Sequence, residues 1–269
     1  MRKYIIRQVG AEMKVILVVL LSVMFILCFP SVKSSAEVHS SNKVAIVIDD
    51  FGNNMKGTEE ILHLPVPLTV AVMPFLSTTE QDAEMAHRLG HEVILHLPME
   101  PLKGKKSWLG PGAITSNLTD KEVYESVNDA IDSVPYAVGI NNHMGSKITA
   151  DKRIMRIILG ICKERNLYYL DSKTTKKSVV AELATELGVP FLENELFFDE
   201  VYTTNHIVKQ TNQLIKKTEV DDEIIAIGHV GLVGEKTAGV LKQYIPKLKE
   251  KAEIVTLSNI LIDKEILLH

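Results

Sequence analysis

The sequence predicts a single (β/α) barrel of parallel strands. Short apolar runs alternate with amphipathic helical patterns along most of the 269 residues. The runs are almost continuously apolar, as is typical of parallel strands covered by helices. About eight such strand and helix units fit one barrel, and a doubly wound open sheet is the structural alternative.

Each element has its own local signal. The predicted strands are residues 44–48, 68–73, 93–97, 137–140, 167–170, 189–192, 224–229 and 253–257. The predicted helices lie near residues 56–63, 78–89, 120–132, 150–165, 177–187, 202–217 and 236–250. Thr119 and Thr149 are expected to cap two helix starts, and glycines after Leu89 and Leu187 to end two helices. No fixed repeat or low-complexity linker interrupts the pattern, so one domain is predicted over residues 44–262.

The N-terminus has the pattern of an export signal. Four basic residues precede the uncharged run 15–29, and Ser34 and Ala36 are the small residues that a signal peptidase recognises. Residues 1–36 are therefore predicted to be a signal peptide, with an uncleaved membrane anchor as the alternative, and residues 37–43 a flexible leader. The protein is expected to be exported: secreted, cell-wall associated or held on the extracytoplasmic face of the membrane, which it would contact only through this segment.

Composition makes nucleic acid and anionic lipid poor candidates as partners. Removing residues 1–36 takes away five of the 30 Lys and Arg and one of the 34 Asp and Glu, which leaves 25 and 33 and a net charge of −8. An acidic exported domain is a poor match for nucleic acid. Of the two cysteines only Cys162 remains, so no intrachain disulfide is expected and Cys162 is predicted to be buried in a helix. A monomer is expected.

Acidic, amide and imidazole side chains follow the ends of successive predicted strands. These residues are Asp49, Asp50, His96, Glu100, Asn141, Asn142, His143, Asp171, Glu193 and His229. In a parallel barrel, functional groups gather at this end of the strands. A catalytic zinc site needs about three Asp, Glu or His ligands and an open position. Neighbouring strand residues point to opposite sides, so Asp49 and Asp50 are expected to divide their roles between metal binding and proton transfer.

Each residue also has a purely structural explanation. The Asp pair could form a turn or a helix cap, His229 could be a satisfied core histidine, and Asn141 and Asn142 could be turn residues. Their coincidence at one pole of the predicted barrel favours a site.

The order and spacing of these motifs resemble those of the polysaccharide deacetylases, which are metal-dependent carbohydrate esterases. The resemblance is strongest to their divergent branch of exported bacterial proteins and covers roughly residues 43–260. The segment 47-VIDDFG-52 resembles the family's first motif and 225-IAIGHV-230 its last. The resemblance implies a single distorted (β/α) barrel with about seven parallel strands.

The resemblance also implies residue roles. Asp49 would be the catalytic base and His229 the general acid, while Asp50 and His96 would bind a divalent metal, with zinc favoured. The family's second motif is His, three residues, His and Pro, but here 96-HLPMEP-101 places Glu100 at the second histidine. The segment 141-NNHMGSK-147 departs from the usual third motif and offers His143 as a further ligand. Whether Glu100, His143 or both complete the metal site stays open.

Five further residues are candidates for supporting roles. Asp171 stands where the family has a supporting aspartate, and Asn142 or Glu193 could orient a ligand. Lys147 is the nearest cation of the altered motif. Trp108 could stack on a sugar ring or plug the barrel rim.

The implied function is removal of acetyl groups from a cell-wall or envelope glycan, with N-acetyl favoured over O-acetyl. One alternative is a non-catalytic exported protein that binds a glycan or a partner on a degenerate barrel, which the altered second and third motifs favour. Retention of Asp49 and His229 argues against it, because binding alone requires neither. Another alternative is a metal amidohydrolase acting on a non-sugar amide.

Overall fold

A computed structural model describes residues 42–267 of the chain. The strands are β1 Lys43–Phe51, β2 Thr69–Val72, β3 Glu92–Met99, β4 Ala137–Met144, β5 Tyr168–Asp171, β6 Phe191–Glu193, β7 Leu196–Phe197, β8 Glu223–His229 and β9 Glu253–Val255. The helices are α1 Thr58–Leu62, α2 Thr79–Arg88, α3 Asp120–Asp132, α4 Lys152–Glu164, α5 Val180–Leu187, α6 Thr204–Lys217, α7 Gly234–Lys249 and α8 Leu257–Leu267. The predicted signal peptide and residues 37–41 of the predicted leader lie outside the described residues, while Lys43, the last residue of that leader, belongs to β1.

The strands form one parallel sheet in the order β6-β5-β4-β3-β2-β1-β8-β7, and β9 pairs with β1. Two residues separate β6 from β7, and this run bridges the two ends of the sheet. Its first half pairs with β5, with Glu193 opposite Asp171, and its second half pairs with β8, with Phe197 opposite Ile227. Seven strand positions therefore surround the barrel, which confirms the predicted distorted barrel of about seven strands.

Side-chain alternation along the strands determines what enters the barrel. On β1, Val44, Ile46 and Ile48 belong to the core under the helices, whereas Ala45 and Val47 belong to a second core cluster. That second cluster also contains Ile94 of β3 and Ile227 of β8. Because side chains repeat every two residues, the next inward positions are Asp49, His96 and His229. The same alternation that fills the barrel with apolar side chains thus places polar ones at its carboxyl end.

Several helix boundaries follow the predicted capping signals. Thr119 and Glu122 form a reciprocal capping box at the start of α3, and Gly188 ends α5 in a left-handed conformation with φ 67°. The prediction for Thr149 is wrong, since Asp151 caps α4 and the buried Thr149 hydroxyl donates to Gly145 O. A short 3-10 turn, Ile148–Ala150, displaces the helix start.

The C-terminal helix α8 was not predicted by the apolar pattern. Its residues Leu257 and Ile260 belong to the barrel-interior cluster, so α8 packs against the barrel interior. Cys162 is buried in α4, as predicted. Among helices within residues 42–267, none combines the length and the apolar character needed to cross a bilayer.

Candidate active site

The Asp pair lies on a bulge at the end of β1. The register with β2 shifts between Ile48 and Phe51, and Asp50 has φ 72°, in the left-handed region. A bulge breaks strict alternation and re-aims a side chain, so two consecutive carboxylates reach the same cavity. Gly52 completes the turn with φ 118°, and a Cβ there would lie 2.9 Å from Met73 O. The Gly52 N–H donates to the buried Asp82 carboxylate at 2.7 Å, which holds the turn against α2.

Three side chains from three strands meet beside this bulge. Asp50 Oδ1 lies 3.0 Å from His143 Nδ1 and 3.2 Å from His96 Nε2. The two imidazole nitrogens are 3.2 Å apart. Within residues 42–267, this is the cluster of Asp, Glu, His and Cys side chains that could hold a metal ion. We refer to Asp50, His96 and His143 as the triad.

Hydrogen bonds determine which imidazole nitrogens are free. His143 Nε2 lies 3.0 Å from Trp108 O, and because a carbonyl only accepts, Nε2 carries a hydrogen and the neutral ring has its lone pair on Nδ1. Asn141 Nδ2 donates to Asp49 Oδ1 at 2.8 Å, so Asn141 Oδ1 accepts from His96 Nδ1 at 2.7 Å. The neutral His96 ring therefore has its lone pair on Nε2. Both free nitrogens are the ones that approach Asp50.

This arrangement fits a metal ion. Two ligand atoms on one Zn²⁺ at about 2.0–2.1 Å are about 3.3 Å apart in a tetrahedron and about 2.9 Å apart at right angles. The three separations in the triad fall within or close to that range. Asp50 Oδ1 is buried and has no hydrogen bond of normal geometry, which is the state of an oxygen that needs a cation. Partners that orient the outer imidazole nitrogens, here Asn141 and Trp108 O, are characteristic of metal-binding histidines.

The electrostatics distinguish the two aspartates. Burial raises the pKa of Asp49, and the nearby imidazoles of His96 and His229 only partly offset it. Burial also acts on Asp50, but His143 and His96, when protonated, donate to this carboxylate and lower its pKa well below the usual range. A carboxylate that stays ionised suits a metal ligand, whereas one with a raised pKa suits proton transfer near neutrality. Burial lowers the pKa of His96, but Asp49 and Asp50 reverse this and raise it overall.

His229 is held by a carboxylate that sequence reasoning missed. Its Nδ1 lies 2.7 Å from Asp199 Oδ1, its backbone N–H donates to Asp199 Oδ2 at 2.8 Å, and Thr237 Oγ1 donates to the same oxygen. Burial would lower the pKa of His229, but Asp199, with smaller contributions from Asp50 and Asp49, raises it to about 9. Asp199 directly follows the apolar residues 196–198, the same strand-end signal that identified the other residues.

Glu100 lies outside the triad, so the structure does not support its prediction as a metal ligand. Its carboxylate accepts from Lys147 Nζ at 2.7 Å and from the Ser116 N–H at 2.8 Å. β3 ends at Met99, and the Glu100 backbone bonds to Ile114 instead of continuing the strand. The side chain that completes the triad is His143, two residues beyond Asn141 on the same face of β4.

The other predicted supporting residues have structural partners. Asn142 points to the opposite side of β4 from His143, where its Oδ1 accepts from Ser172 N and its Nδ2 donates to Met144 O. Asp171 and Glu193 both contact Lys173. The backbone N–H of Lys173 donates to the Asp171 carboxylate, and its Nζ lies 2.8 Å from Glu193 Oε1. Lys147 pairs with Glu100. Trp108 lines the same cavity as the triad and is 58% exposed, so it does not plug the barrel.

Replacing Glu100 with glutamine is expected to destabilise the fold at neutral pH. The hydrogen bonds from Lys147 and Ser116 lower the pKa of Glu100 to about 2. A depressed carboxyl pKa contributes stability above the unfolded-state pKa and loses it as pH falls through the folded-state value. Because the pair is partly exposed, we expect a loss of about 1 kcal/mol at neutral pH in urea unfolding, which disappears as pH falls from about 4 towards 2.

The matched control is Glu182→Gln, which breaks the ion pair with Lys152. Both side chains of that pair are more than half exposed, so the free energy of unfolding should hardly change. Equal effects of the two substitutions would contradict a special role for Glu100.

Comparison with known proteins identifies the family. A family model described as divergent polysaccharide deacetylase matches residues 46–261, which include the triad, Asp49, Asp199 and His229. The chain belongs to this family. An uncharacterized protein of Escherichia coli K12, YibQ, is 33% identical to this chain over 241 residues, spanning 90% of the chain and 74% of YibQ. An uncharacterized protein of Haemophilus influenzae is 30% identical over 228 residues, spanning 85% of the chain and 80% of that protein.

Solved structures share the fold. An uncharacterized protein of Agrobacterium tumefaciens C58 superposes with a TM-score of 0.76 at 18% identity, covering 84% of this chain and 91% of that protein. The Xyl-CE4 domain of a multidomain xylanase from the hindgut metagenome of Trinervitermes trinervoides superposes with a TM-score of 0.52 at 15% identity. The superposition covers 83% of this chain and 91% of that domain. The superpositions establish a common barrel fold, and at identities this low they show the fold alone.

Proposed function

We propose that this protein is an exported, metal-dependent hydrolase that removes acetyl groups from a carbohydrate of the cell envelope, N-acetyl in preference to O-acetyl. One observation carries the proposal. The triad, the buried Asp49 and the His229–Asp199 pair line one cavity of about 720 Å³ at the carboxyl end of the barrel. Export stays a prediction from residues 1–36, and sequencing of the mature N-terminus tests it, with cleavage expected after Ala36.

The triad would hold the metal. A divalent ion there, zinc in the first instance, would polarise an acetyl carbonyl and lower the pKa of water at the site. The chain itself contributes the groups that move protons. Asp49 Oδ1 already accepts from Asn141, so we assign the transfer to Oδ2, which lies 3.8 Å from His96 Nε2. Burial keeps this carboxylate basic enough to take a proton from the attacking water.

His229 would protonate the leaving group. An amine leaves poorly as an anion, so hydrolysis of an amide needs a proton donor at the nitrogen. The Nδ1 atom of His229 pairs with Asp199, so Nε2 is the nitrogen available to donate. Asp199 stabilises the imidazolium and so keeps the proton in place at neutral pH. A non-catalytic glycan-binding protein would have no use for this buried carboxylate and imidazole pair.

The cavity lining supports an uncharged glycan as substrate. The aromatic side chains of Trp108 and Tyr202 line the cavity and are more than half exposed. No lysine or arginine is among the described residues that line it, whereas four carboxylates are: Asp49, Asp50, Asp199 and Glu200. Exposed aromatic rings suit the apolar faces of sugars. The surplus of acidic groups disfavours anionic substrates.

Acetate release tests the proposal. We expect the zinc-loaded protein to release acetate from N-acetylglucosamine oligosaccharides, and the chelator-stripped protein to do so only after zinc is restored. Asp49→Asn is expected to lower the rate by about 10²–10⁴-fold while the zinc content is retained, because it removes the base and not a ligand. The matching O-acetylated sugars decide between amide and ester. Metal-free protein whose acetate release is unchanged by Asp49→Asn would refute the mechanism.

A further inference from the structure

The loop between β3 and α3 is tied at its base and carries the single tryptophan of the chain, Trp108. At the base, Glu100 N donates to Ile114 O at 2.9 Å and Ile114 N donates to Pro98 O at 2.8 Å. We refer to residues 101–113 as the tryptophan loop. Its ends are therefore fixed by backbone hydrogen bonds, while the segment between them projects over the candidate site.

Trp108 has two contacts with different parts of the site. Its backbone oxygen accepts from Nε2 of the triad residue His143 at 3.0 Å. Its side chain lines the cavity that the triad also lines, and it is 58% exposed. Lys105 Nζ lies 5.6 Å from the ring centre, and the following residue, Leu109, is buried. One residue thus orients a metal ligand with its backbone and offers an aromatic surface with its side chain.

These two contacts cannot move independently. The carbonyl and the ring of Trp108 share one Cα, so a sugar that packs on the ring also determines where the carbonyl lies. An outer hydrogen-bond partner of a metal-binding histidine changes metal affinity by about 10–100-fold. The other such partner in this site, Asn141, belongs to β4 and is fully buried. The partner of His143, in contrast, belongs to a loop that a substrate can reach.

We propose that Trp108 is a positioning residue that couples glycan binding to metal binding. The inference rests on the proposed function, because it requires a glycan in the cavity and a metal on the triad. A glycan that holds the tryptophan loop with its carbonyl on His143 tightens metal binding. By thermodynamic reciprocity, the metal tightens glycan binding by the same factor, and couplings of this kind are typically about 5–150-fold.

The sole tryptophan makes the coupling measurable. The full-length, metal-free Asp49→Asn protein, which should keep zinc binding and hydrolyse the tetramer only slowly, is titrated with zinc and tryptophan emission is recorded, with and without N-acetylglucosamine tetramer. Competition with a chromogenic chelator gives the zinc affinity independently. We expect a saturable emission change and a zinc affinity at least about 5-fold higher with the tetramer. The reverse titration should give the same factor.

Two variants separate coupling from simple binding. Trp108→Ala keeps the backbone carbonyl, so zinc affinity without glycan should stay within about 10-fold of the wild type, the low end for loss of such an outer partner. The tightening by the tetramer should disappear, and Trp108→Phe should restore part of it. Tyr202→Ala is the matched control. Tyr202 is 59% exposed in the same cavity, but its backbone oxygen accepts from Lys236, so this variant should bind glycan more weakly and keep the coupling factor.

The outcomes distinguish the coupling from the function. Acetate release together with a zinc affinity that the tetramer does not change would overturn the coupling and leave the proposed function standing. Undiminished coupling in Trp108→Ala would overturn the assignment to Trp108. Absence of both tetramer binding and acetate release, with or without zinc, would overturn both proposals.

Discussion

His143→Ala is expected to lower the affinity for zinc by more than about 100-fold and to abolish acetate release. The loss of an outer partner of a metal ligand alone costs about 10–100-fold, and this substitution removes the ligand itself. Asp50 Oδ1 would lose its 3.0 Å neighbour, and two protein ligands are too few for a catalytic zinc site. Competition with a chromogenic chelator at fixed pH measures the affinity.

The control is Glu100→Ala, because the family motif places a histidine ligand at that position. Glu100 pairs with Lys147 and Ser116 and does not contact the triad. Its loss should change zinc affinity by less than about 10-fold, through the tryptophan loop. A larger effect at Glu100 than at His143 would show that the triad is not the metal site.

The second large effect is expected for Asp199→Asn. This substitution removes the charge that stabilises protonated His229 but keeps the shape of the side chain. The pKa of His229 should fall from about 9, because burial, which lowers it, is then opposed only by the more distant Asp50 and Asp49. A neutral imidazole is a poor proton donor, so acetate release should fall by about 10²–10⁴-fold at neutral pH.

The pH profile makes this prediction specific. Activity that depends on protonated His229 is lost as pH rises through its pKa, so the alkaline limb should move to lower pH in Asp199→Asn. Thr237→Val is the control, since it removes one hydrogen bond to Asp199 Oδ2 and leaves both contacts with His229. Its alkaline limb should stay close to that of the wild type. An unchanged limb in Asp199→Asn would rule out His229 as the acid.

Much of the fold was predictable because it depends on local patterns. Continuous apolar runs such as β1 and β8 predict buried parallel strands, and caps such as Thr119 fix helix starts within the chain's own sequence. The run that bridges β5 and β8 was predicted as a single strand that ends at residue 192. Its second half, Leu196–Phe197, is only two residues long, too short to show a strand pattern in the sequence. It is a strand because it pairs with β8. The helix α8 was missed because it begins at Leu257, which the sequence pattern assigned to the end of a strand.

The site was predictable to the extent that it depends on strand ends. Asp49, Asp50, His96, His143 and His229 each follow an apolar run, and in a parallel barrel such positions converge. The sequence could not decide between Glu100 and His143, because both are plausible zinc ligands a few residues beyond a strand. The Lys147 ion pair, across two loops far apart in sequence, turns Glu100 away. Asp199 and Asn141 act through contacts with residues 30 and 45 positions away.

The sequence by itself determined most of the strand and helix order, the family resemblance and the residue types available at the carboxyl end of the barrel. Apolar periodicity and capping are local properties of the chain, so they can be interpreted without coordinates. Only the tertiary structure decided which side chains meet. The bulge at Asp50, the hydrogen bond from Asn141 to Asp49 and the approach of Trp108 O to His143 all join residues far apart in sequence or reverse a side chain's direction. The geometry of such contacts is sensitive to shifts of a few tenths of an ångström. Only the packing of the whole barrel determines positions that accurately.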